Sequence, residues 1–196
     1  EGDRRCARER LGLDVDRPTI VTVRRLVRRT GVDLLLDALV PIVREVPDVQ
    51  LVVAGDGRRR PALEAQAEQL GLATHVTFLG RVPDDVLPTL YRAADLSVVP
   101  SRSLEGFGLV TLESLACGTP VVVTDVDGLA DAPRELDPSC VVRRDDVGAL
   151  ADRLVGALLG RAPLADPTRC RRLAEGHSWA HVARSHLELY DRTLHP

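Results

Sequence analysis

The sequence contains neither lysine nor methionine, and aromatic residues are rare. All 26 basic residues are arginines, and Phe, Trp and Tyr together make up 3% of the chain. Sites for single-stranded nucleic acid combine a basic groove with aromatic side chains on which the bases stack. Here 29 acidic residues are interspersed with the arginines and the net charge is −3. The composition therefore argues against a nucleic-acid partner.

Long apolar runs and closely spaced cysteines are also missing. A membrane-spanning helix needs about 20 consecutive apolar residues, and no run in the sequence approaches that length. The four cysteines, at positions 6, 117, 140 and 170, form no Cys-x-x-Cys pair. Neither a zinc site nor a disulfide framework is indicated. We expect reduced thiols, no transmembrane segment and a cytoplasmic location.

The chain is long enough for one domain with a sizeable core. It has 196 residues, of which 44% are hydrophobic, and a chain of this size can bury much of its apolar surface. The first residues include no initiator methionine, so we expect a piece of a longer protein. We divide it into a linker with a short helix (1–17), a main domain (18–177) and a final helix (178–196).

Apolar strands alternate with helical segments throughout the main domain. This alternation predicts an α/β fold: a single-domain, Rossmann-like parallel sheet of about six strands with helices on both faces. Ligands of such sheets bind beyond the carboxyl ends of the strands. The predicted strands are TIVTV (19–23), VQLVVAG (49–55), HVTFLG (75–80), LSVV (96–99), PVVVT (120–124) and CVV (140–142). The predicted helices are 3–11, 33–46, 61–70, 83–94, the segment after Gly108, 146–159, 167–176 and 179–194.

One stretch, residues 100–121, combines a strand end, a glycine loop and the start of a helix. Its sequence is PSRSLEGFGLVTLESLACGTPV. Main-chain N–H groups at a helix start have no intrahelical partner and attract anions such as phosphate. Glu105 lies in the loop, where a sugar ring could reach it. Glu113 falls in the second helical turn, too far in to cap the helix, and its carboxylate suits hydroxyl groups such as those of a ribose.

The order EGFGLVTLE, SLACGTPVVVTD resembles the donor-site signature of the retaining, group 1 glycosyltransferases of GT-B architecture. Their pattern is E-G-F-G-x-x-x-x-E, then A-x-G-x-P-V. The resemblance runs from about residue 18 to the final helix and corresponds to the C-terminal, donor-binding half of such an enzyme. It implies a nucleoside-diphosphate sugar as donor substrate, no separate cofactor and no metal.

The resemblance also implies a partner and an activity. An N-terminal acceptor domain of the same enzyme would complete the site, and the glycosyl group would be transferred with retention. Any peripheral membrane contact would come through that other domain. The chain alone is expected to bind donor weakly and to be inactive or nearly so.

Residue roles follow from the same resemblance. Glu105 would contact the hydroxyls of the donor sugar and Arg25 would stabilise the leaving diphosphate, which makes these the predicted catalytic residues. Glu113 would hold the ribose. The amides of Gly106 to Val110 would cradle the diphosphate. The other predicted donor-binding residues are Arg29, Gly57, Arg81, Val82, Ser101, Gly106, Phe107, Gly108, Leu109 and Val110.

The loop after the first strand departs from the family pattern. Family members have G-R-L and then a Lys-Gly pair, whereas this chain has RRL (24–26) and then RTG (29–31). Arg25 matches the family arginine, and Thr30 stands in place of the lysine. Because a guanidinium reaches far, we predict that Arg29 takes over the missing charge. The alternative is that these arginines form a solvated basic loop.

Several other features have two interpretations. Gly57 either lets a ligand approach or forms a tight turn, and the main chain at Arg81 and Val82 either holds the nucleobase or simply ends a strand. Asp125 and Asp127 have no converging ligands, so no metal site is predicted. The five histidines, at 75, 177, 181, 186 and 195, are interpreted as surface or packing residues.

Three alternatives to a transferase remain open. They are a nucleotide-sugar 2-epimerase of the same architecture, a binding module that has lost transfer, and an unrelated flavodoxin-like domain. The last would have a loop rich in glycine or hydroxyl groups after its first strand, which 24–31 is not. The final helix carries Trp179, Leu187 and Tyr190 and either docks on its own domain or exposes an apolar face.

Overall fold

Residues 2–194 are described by a computed structural model. Along them, six strands alternate with helices. The strands are β1 (Thr19–Val23), β2 (Gln50–Ala54), β3 (Val76–Gly80), β4 (Leu96–Val99), β5 (Val121–Thr124) and β6 (Val141–Val142). The helices are α1 (Gly2–Leu11), α2 (Val32–Glu45), α3 (Arg60–Gln69), α4 (Leu87–Ala93), α5 (Leu109–Ala116), α6 (Asp131–Leu136), α7 (Val147–Leu158), α8 (Pro167–Gly176) and α9 (Trp179–Leu194). The predicted alternation is confirmed; His195 lies outside the described residues.

The strands form one sheet in the order β3-β2-β1-β4-β5-β6. Every neighbouring pair is parallel, which confirms the predicted α/β sheet. From the central pair, β1 and β4, the chain winds outward in opposite directions. The chain after β1 and the chain after β4 therefore lead to helices on opposite faces of the sheet, and the point between these two strands is the switch point, where open α/β sheets bind their ligands.

Alternate strand residues supply cores on the two faces of the sheet. Leu51 and Val53 of β2 join a cluster with α2, α3 and α7, and Val52 between them joins a second cluster with α4. In the same way Val122 faces the first cluster, and its neighbours face a third one built with α5, α6 and α8. Because both faces are covered, the strands read as continuous apolar runs.

Two local predictions were wrong. The sequence analysis predicts no helix between the strands at 120–124 and 140–142, yet this segment contains α6, whose Ala132 and Leu136 are buried. Acidic residues and Pro133 hid this short helix, which is held by burial more than by propensity. The helix predicted from residue 83 begins only at Leu87, with Pro88 in its first turn, where proline's missing N–H costs nothing.

The final helix, α9, contributes nothing to the core. None of its residues is buried, and Trp179, Leu187 and Tyr190 are all exposed. Of the two alternatives for this helix, exposure of an apolar face is therefore the one observed. Among residues 2–194, no helix combines the length and the apolar character that a membrane crossing requires.

Candidate functional site

The loops after β1 and β4 pack directly on each other at the switch point. Gly31 has φ +69°, and a Cβ on it would lie 1.8 Å from the carbonyl oxygen of Pro100. The Arg102 N–H donates a hydrogen bond of 2.8 Å to the carbonyl of Arg29. Only glycine tolerates this close approach, so Gly31 fixes how the two loops meet.

The main-chain amides of residues 106–110, the predicted cradle, lie at the start of α5. Gly108 precedes the helix with φ +69°, and a Cβ there would lie 2.7 Å from Leu129 Cδ1. Gly106, Phe107 and Leu109 are exposed. Within residues 2–194, no hydrogen bond is donated by the amides of residues 106–110. These N–H groups thus have no protein acceptor within the described residues, and N–H groups of this kind at a helix start attract anions.

Glu105 is held by the protein at one of its two oxygens. Its Oε1 accepts a hydrogen bond from Ser101 Oγ at 2.7 Å and another from the Arg24 guanidinium. The Arg29 guanidinium lies 3.6 Å from the same oxygen. The side chains of Arg24 and Glu105 are only 8% and 10% exposed. Glu105 is therefore a largely buried carboxylate with a fixed partner.

Arg24 is a residue that the sequence interpretation missed. That interpretation gave Arg24 no role and assigned the leaving diphosphate to Arg25, whose side chain is exposed and borders a cavity of about 470 Å³ with Val27, Arg28, Arg29 and Arg58. Neighbouring side chains at a strand end point in opposite directions, so only one of two adjacent arginines can reach Glu105. The available signal was that Arg24 replaces the glycine of the family's G-R-L.

Thr30 stabilises its own loop. Its side chain is buried, and its hydroxyl lies 2.8 Å from the carbonyl of Arg25 and 2.7 Å from that of Val27. Next to it, Arg29 donates a hydrogen bond of 2.9 Å to the carbonyl of Leu104. Arg29 thus brings a positive charge to the loop that carries Glu105.

Glu113 projects from the exposed side of α5 and is oriented by a buried tyrosine. The Tyr91 hydroxyl donates a hydrogen bond of 3.1 Å to Glu113 Oε2. Burial raises the pKa of the Tyr91 hydroxyl far above its ordinary value, the Glu113 charge raises it further, and the Arg24 charge lowers it. The positive charge of Arg24 therefore acts on the ionisation of the Tyr91 hydroxyl. Tyr91 is the second site residue that the sequence interpretation missed.

The two glutamates border different cavities. Glu105 borders a polar cavity of about 830 Å³ together with Ser103, Leu104, Asp125, Val126, Asp127, Arg143 and Arg144. Glu113 borders a largely apolar groove of about 800 Å³ whose lining includes Phe107, Leu109 and residues of α8 and α9. Cradle residues thus lie at the Glu113 groove, while Glu105 faces the loop after β5.

The loop after β5 packs against the cradle. A Cβ on Gly128, whose φ is +72°, would lie 1.7 Å from the carbonyl oxygen of Gly106. Asp125 pairs with Arg134 at 2.7 Å. Within the described residues, no group of three or more His, Cys, Asp or Glu side chains is placed to hold a metal ion.

Four further residues were predicted to bind the donor: Ser101, Gly57, Arg81 and Val82. Three of them contact other parts of the protein. Ser101 is completely buried, so it contacts Glu105 instead of a cavity. A Cβ on Gly57 would lie 2.4 Å from the carbonyl oxygen of Leu26, which favours the tight-packing interpretation of that glycine. Arg81 is exposed, and Val82 packs partly buried against the cluster that contains Tyr91.

The chain is similar to a known protein family and to several named proteins. The family described as Glycosyl transferases group 1 matches residues 3–175. The chain is 41% identical to the D-inositol 3-phosphate glycosyltransferase of Nocardia farcinica, over 98% of this chain and 44% of that protein. It is 38% identical to the GDP-mannose-dependent alpha-(1-6)-phosphatidylinositol monomannoside mannosyltransferase of Mycolicibacterium smegmatis, over 88% of this chain and 45% of that protein.

A solved structure shows the same fold. The crystal structure of Anabaena Alr3699/HepE in complex with UDP-glucose aligns with a TM-score of 0.77 and 26% identity, over 88% of this chain and 48% of that one. The chain thus spans less than half the length of these relatives. Because the family matches far more than half of the sequence, the chain belongs to the group 1 glycosyl transferases.

Proposed function

We propose that this chain binds a nucleoside-diphosphate sugar at its switch point and supplies the donor half of a retaining glycosyltransferase. The observation that carries the proposal is the free amide cradle of residues 106–110. The cradle is preceded in the chain by the buried Glu105 and followed by the exposed Glu113. An anion-binding helix start with a carboxylate on each side suits a diphosphate that has a hydroxyl-rich group at both ends.

Each group has a role in this proposal. The cradle amides and the arginines of the β1 loop, Arg25 and Arg29, stabilise the charge that develops on the diphosphate as the bond to the sugar breaks. Glu113, oriented by Tyr91, accepts hydrogen bonds from the ribose. Glu105 accepts them from the sugar. Only a ligand that carries a ribose, a diphosphate and a sugar contacts all of these groups.

Known relatives support a nucleoside-diphosphate sugar as the donor, but they do not identify its nucleobase. HepE was solved with UDP-glucose, and the mannosyltransferase relative is named as GDP-mannose-dependent. The main chain around Arg81 and Val82 is our proposed contact for the base, and main-chain recognition leaves no side chain from which its identity could be read. A binding experiment therefore needs both UDP and GDP derivatives.

The acceptor is proposed to bind elsewhere in a longer polypeptide. The relatives are more than twice the length that this chain spans, and a second domain facing the switch point would complete the site and provide any peripheral membrane contact. We also propose a cytoplasmic location, for which the four free thiols are the support.

Thermal unfolding in the presence of nucleotides tests the proposal. Millimolar UDP, GDP and their sugars are added separately to the chain, with inorganic phosphate as the anion control. A ligand at 100 times its Kd stabilises the folded state by about 2.7 kcal/mol, which raises Tm by roughly 5–10 °C for a domain of this size. Glu113→Gln should reduce the rise, whereas Glu68→Gln, on the exposed side of α3, should not.

Two outcomes would contradict the proposal. One is the absence of any rise with every nucleotide, and the other is an equal rise with inorganic phosphate alone. Incubation with the donor alone then separates transfer from epimerisation, because an epimerase forms a new sugar without an acceptor.

A further inference from the structure

We propose that Arg24 is a positioning residue: it anchors one oxygen of Glu105 so that the other faces the donor sugar. This inference rests on the proposed function, in which Glu105 accepts hydrogen bonds from sugar hydroxyls. Arg24 stands where the family pattern has glycine, so the family signature assigns it no role.

The contacts of the Glu105 carboxylate are all on one side. The Arg24 guanidinium, Ser101 Oγ and the more distant Arg29 guanidinium all approach Oε1. Among the described residues, Oε2 has no hydrogen-bond partner, and it is not one of the fully buried atoms that lack one. A carboxylate oxygen can accept two hydrogen bonds, so Oε2 is free for hydroxyl groups that enter the adjoining cavity.

The anchor is itself rigid. The Arg24 N–H continues the sheet by donating a hydrogen bond of 2.8 Å to the carbonyl of Ala54. Its Nη2 also donates a hydrogen bond of 2.8 Å to Ser101 Oγ. The carbonyl of Ser101 in turn accepts a hydrogen bond from the Thr124 hydroxyl, at the end of β5. The ends of three adjacent strands thus hold the carboxylate. Such supporting hydrogen bonds keep the position of a functional side chain within a fraction of an ångström.

Stability alone does not explain an arginine at this place. The Arg24 side chain is 8% exposed, and its Nε is buried without a hydrogen-bond partner among the described residues. An unpaired buried donor is destabilising, and buried ion pairs are often no more stabilising than apolar residues of similar size. Orientation of Glu105 is a benefit that offsets this cost.

A positioning role makes a specific prediction about which part of the donor is affected. Arg24 does not touch the nucleoside diphosphate in this proposal, so its loss should weaken only the contribution of the sugar. If Arg24 instead bound the diphosphate directly, its loss would weaken UDP and UDP-glucose equally. A change in folding would likewise affect both ligands.

The experiment is calorimetric titration of the chain with nucleotide pairs. The pairs are UDP with UDP-glucose and GDP with GDP-mannose, and the pair that the wild-type chain binds is used. The variants are Arg24→Gln, Glu105→Gln, the double variant and Arg24→Lys, with Arg44→Gln in the exposed last turn of α2 as the control. Melting curves verify that each variant is folded.

We expect Arg24→Gln and Glu105→Gln each to lower the affinity for the nucleotide sugar about tenfold, or 1.4 kcal/mol. The affinity for the free diphosphate should stay within about twofold. The double variant should lose no more than either single variant, because both act on one contact. Arg24→Lys should recover part of the loss, and Arg44→Gln should resemble wild type.

Three results would overturn the inference: an equal loss for diphosphate and nucleotide sugar, no loss for either, or additive losses in the double variant. If Arg24→Gln does not fold, Ser101→Ala removes another donor to Oε1 and should show the same selective loss. Failure of the wild-type chain to bind any nucleotide would instead refute the proposed function. The two failures are therefore distinguishable.

Discussion

The buried hydroxyl of Tyr91 donates a hydrogen bond of 3.1 Å to the exposed carboxylate of Glu113. The contact joins α4 to α5, two helices on the same face of the sheet. Because the tyrosine ring is buried, the hydrogen bond fixes the orientation of the Glu113 carboxylate. Burial raises the pKa of the Tyr91 hydroxyl well above its ordinary value, so the hydroxyl is protonated and able to donate at neutral pH.

Removing that hydroxyl should weaken nucleotide binding without unfolding the chain. In Tyr91→Phe, Glu113 loses its orienting donor while the buried ring is retained. The affinity for UDP or GDP should fall roughly threefold to tenfold, the usual worth of one hydrogen bond. Calorimetric titration measures it, with Tyr190→Phe on the exposed α9 as the matched control. Equal affinities for Tyr91→Phe and wild type would show that Tyr91 does not orient Glu113 for the ligand.

The loop after β5 should be essential to the shape of the cradle. In Gly128→Ala, the new methyl group would collide with the carbonyl of Gly106, and the positive φ is itself unfavourable for alanine. We expect the free energy of unfolding to fall by more than about 2 kcal/mol and nucleotide binding to be lost. Urea denaturation and calorimetric titration measure the two effects.

Gly12→Ala separates the strain of the backbone from the collision. Gly12 has φ +66° and open space where its Cβ would lie. This variant should lose only about 1–2 kcal/mol, the cost of a left-handed residue, and should bind nucleotide normally. If both variants bound nucleotide equally well, the contact between Gly128 and Gly106 would have no part in shaping the site.

Truncation after Ser178 should leave the domain almost as stable as before. None of the residues of α9 is buried, so little apolar burial is lost. We expect Tm to change by less than about 3 °C, which corresponds to roughly 1 kcal/mol in a chain of this size. A much larger fall in Tm, measured by calorimetry, would mean that α9 packs on the domain in solution.

The stability of the fold should decline at alkaline pH through two buried thiols. Burial is the main cause that raises the pKa of Cys140 and of Cys170 to about 11 from the ordinary 9.0. Between these values the unfolded chain releases its thiol protons first, so the free energy of unfolding falls as the pH rises. The slope reaches up to about 1.4 kcal/mol per pH unit for each thiol.

Urea denaturation from about pH 8 to about pH 10.5 measures this slope. The double variant Cys140→Ala/Cys170→Ala should show a shallower decline than wild type. Cys6→Ala, which alters an exposed thiol, should leave the slope unchanged. Identical slopes in wild type and the double variant would contradict the prediction.

The strands and the glycine loop before α5 could be predicted from the sequence because their signals are local. Runs such as TIVTV and LSVV are apolar, rich in β-branched residues and bounded by turns, and they match β1 and β4 residue for residue. The EGFG stretch carries a glycine pair directly before a helical pattern. Short-range chemistry of this kind determines where an element begins and ends.

The missed features depend on contacts between distant segments. Arg24 meets Glu105 across 81 residues, and Tyr91 meets Glu113 across 22. A sequence pattern cannot tell which of two adjacent arginines turns inward. Similarly, Gly57 resembles a ligand-binding glycine in sequence, yet its missing side chain makes room for the main chain of Leu26.

NMR titration of the uniformly ¹⁵N-labelled chain with UDP and with GDP observes the amides of residues 106–110, the proposed diphosphate cradle, directly. We predict saturable shifts of the Gly106 to Val110 amide signals with at least one of these ligands. The signals of Gly12 and Gly71, which lie in other loops, should not move. The absence of shifts with both nucleotides, or shifts that cluster away from residues 106–110, would contradict the central claim.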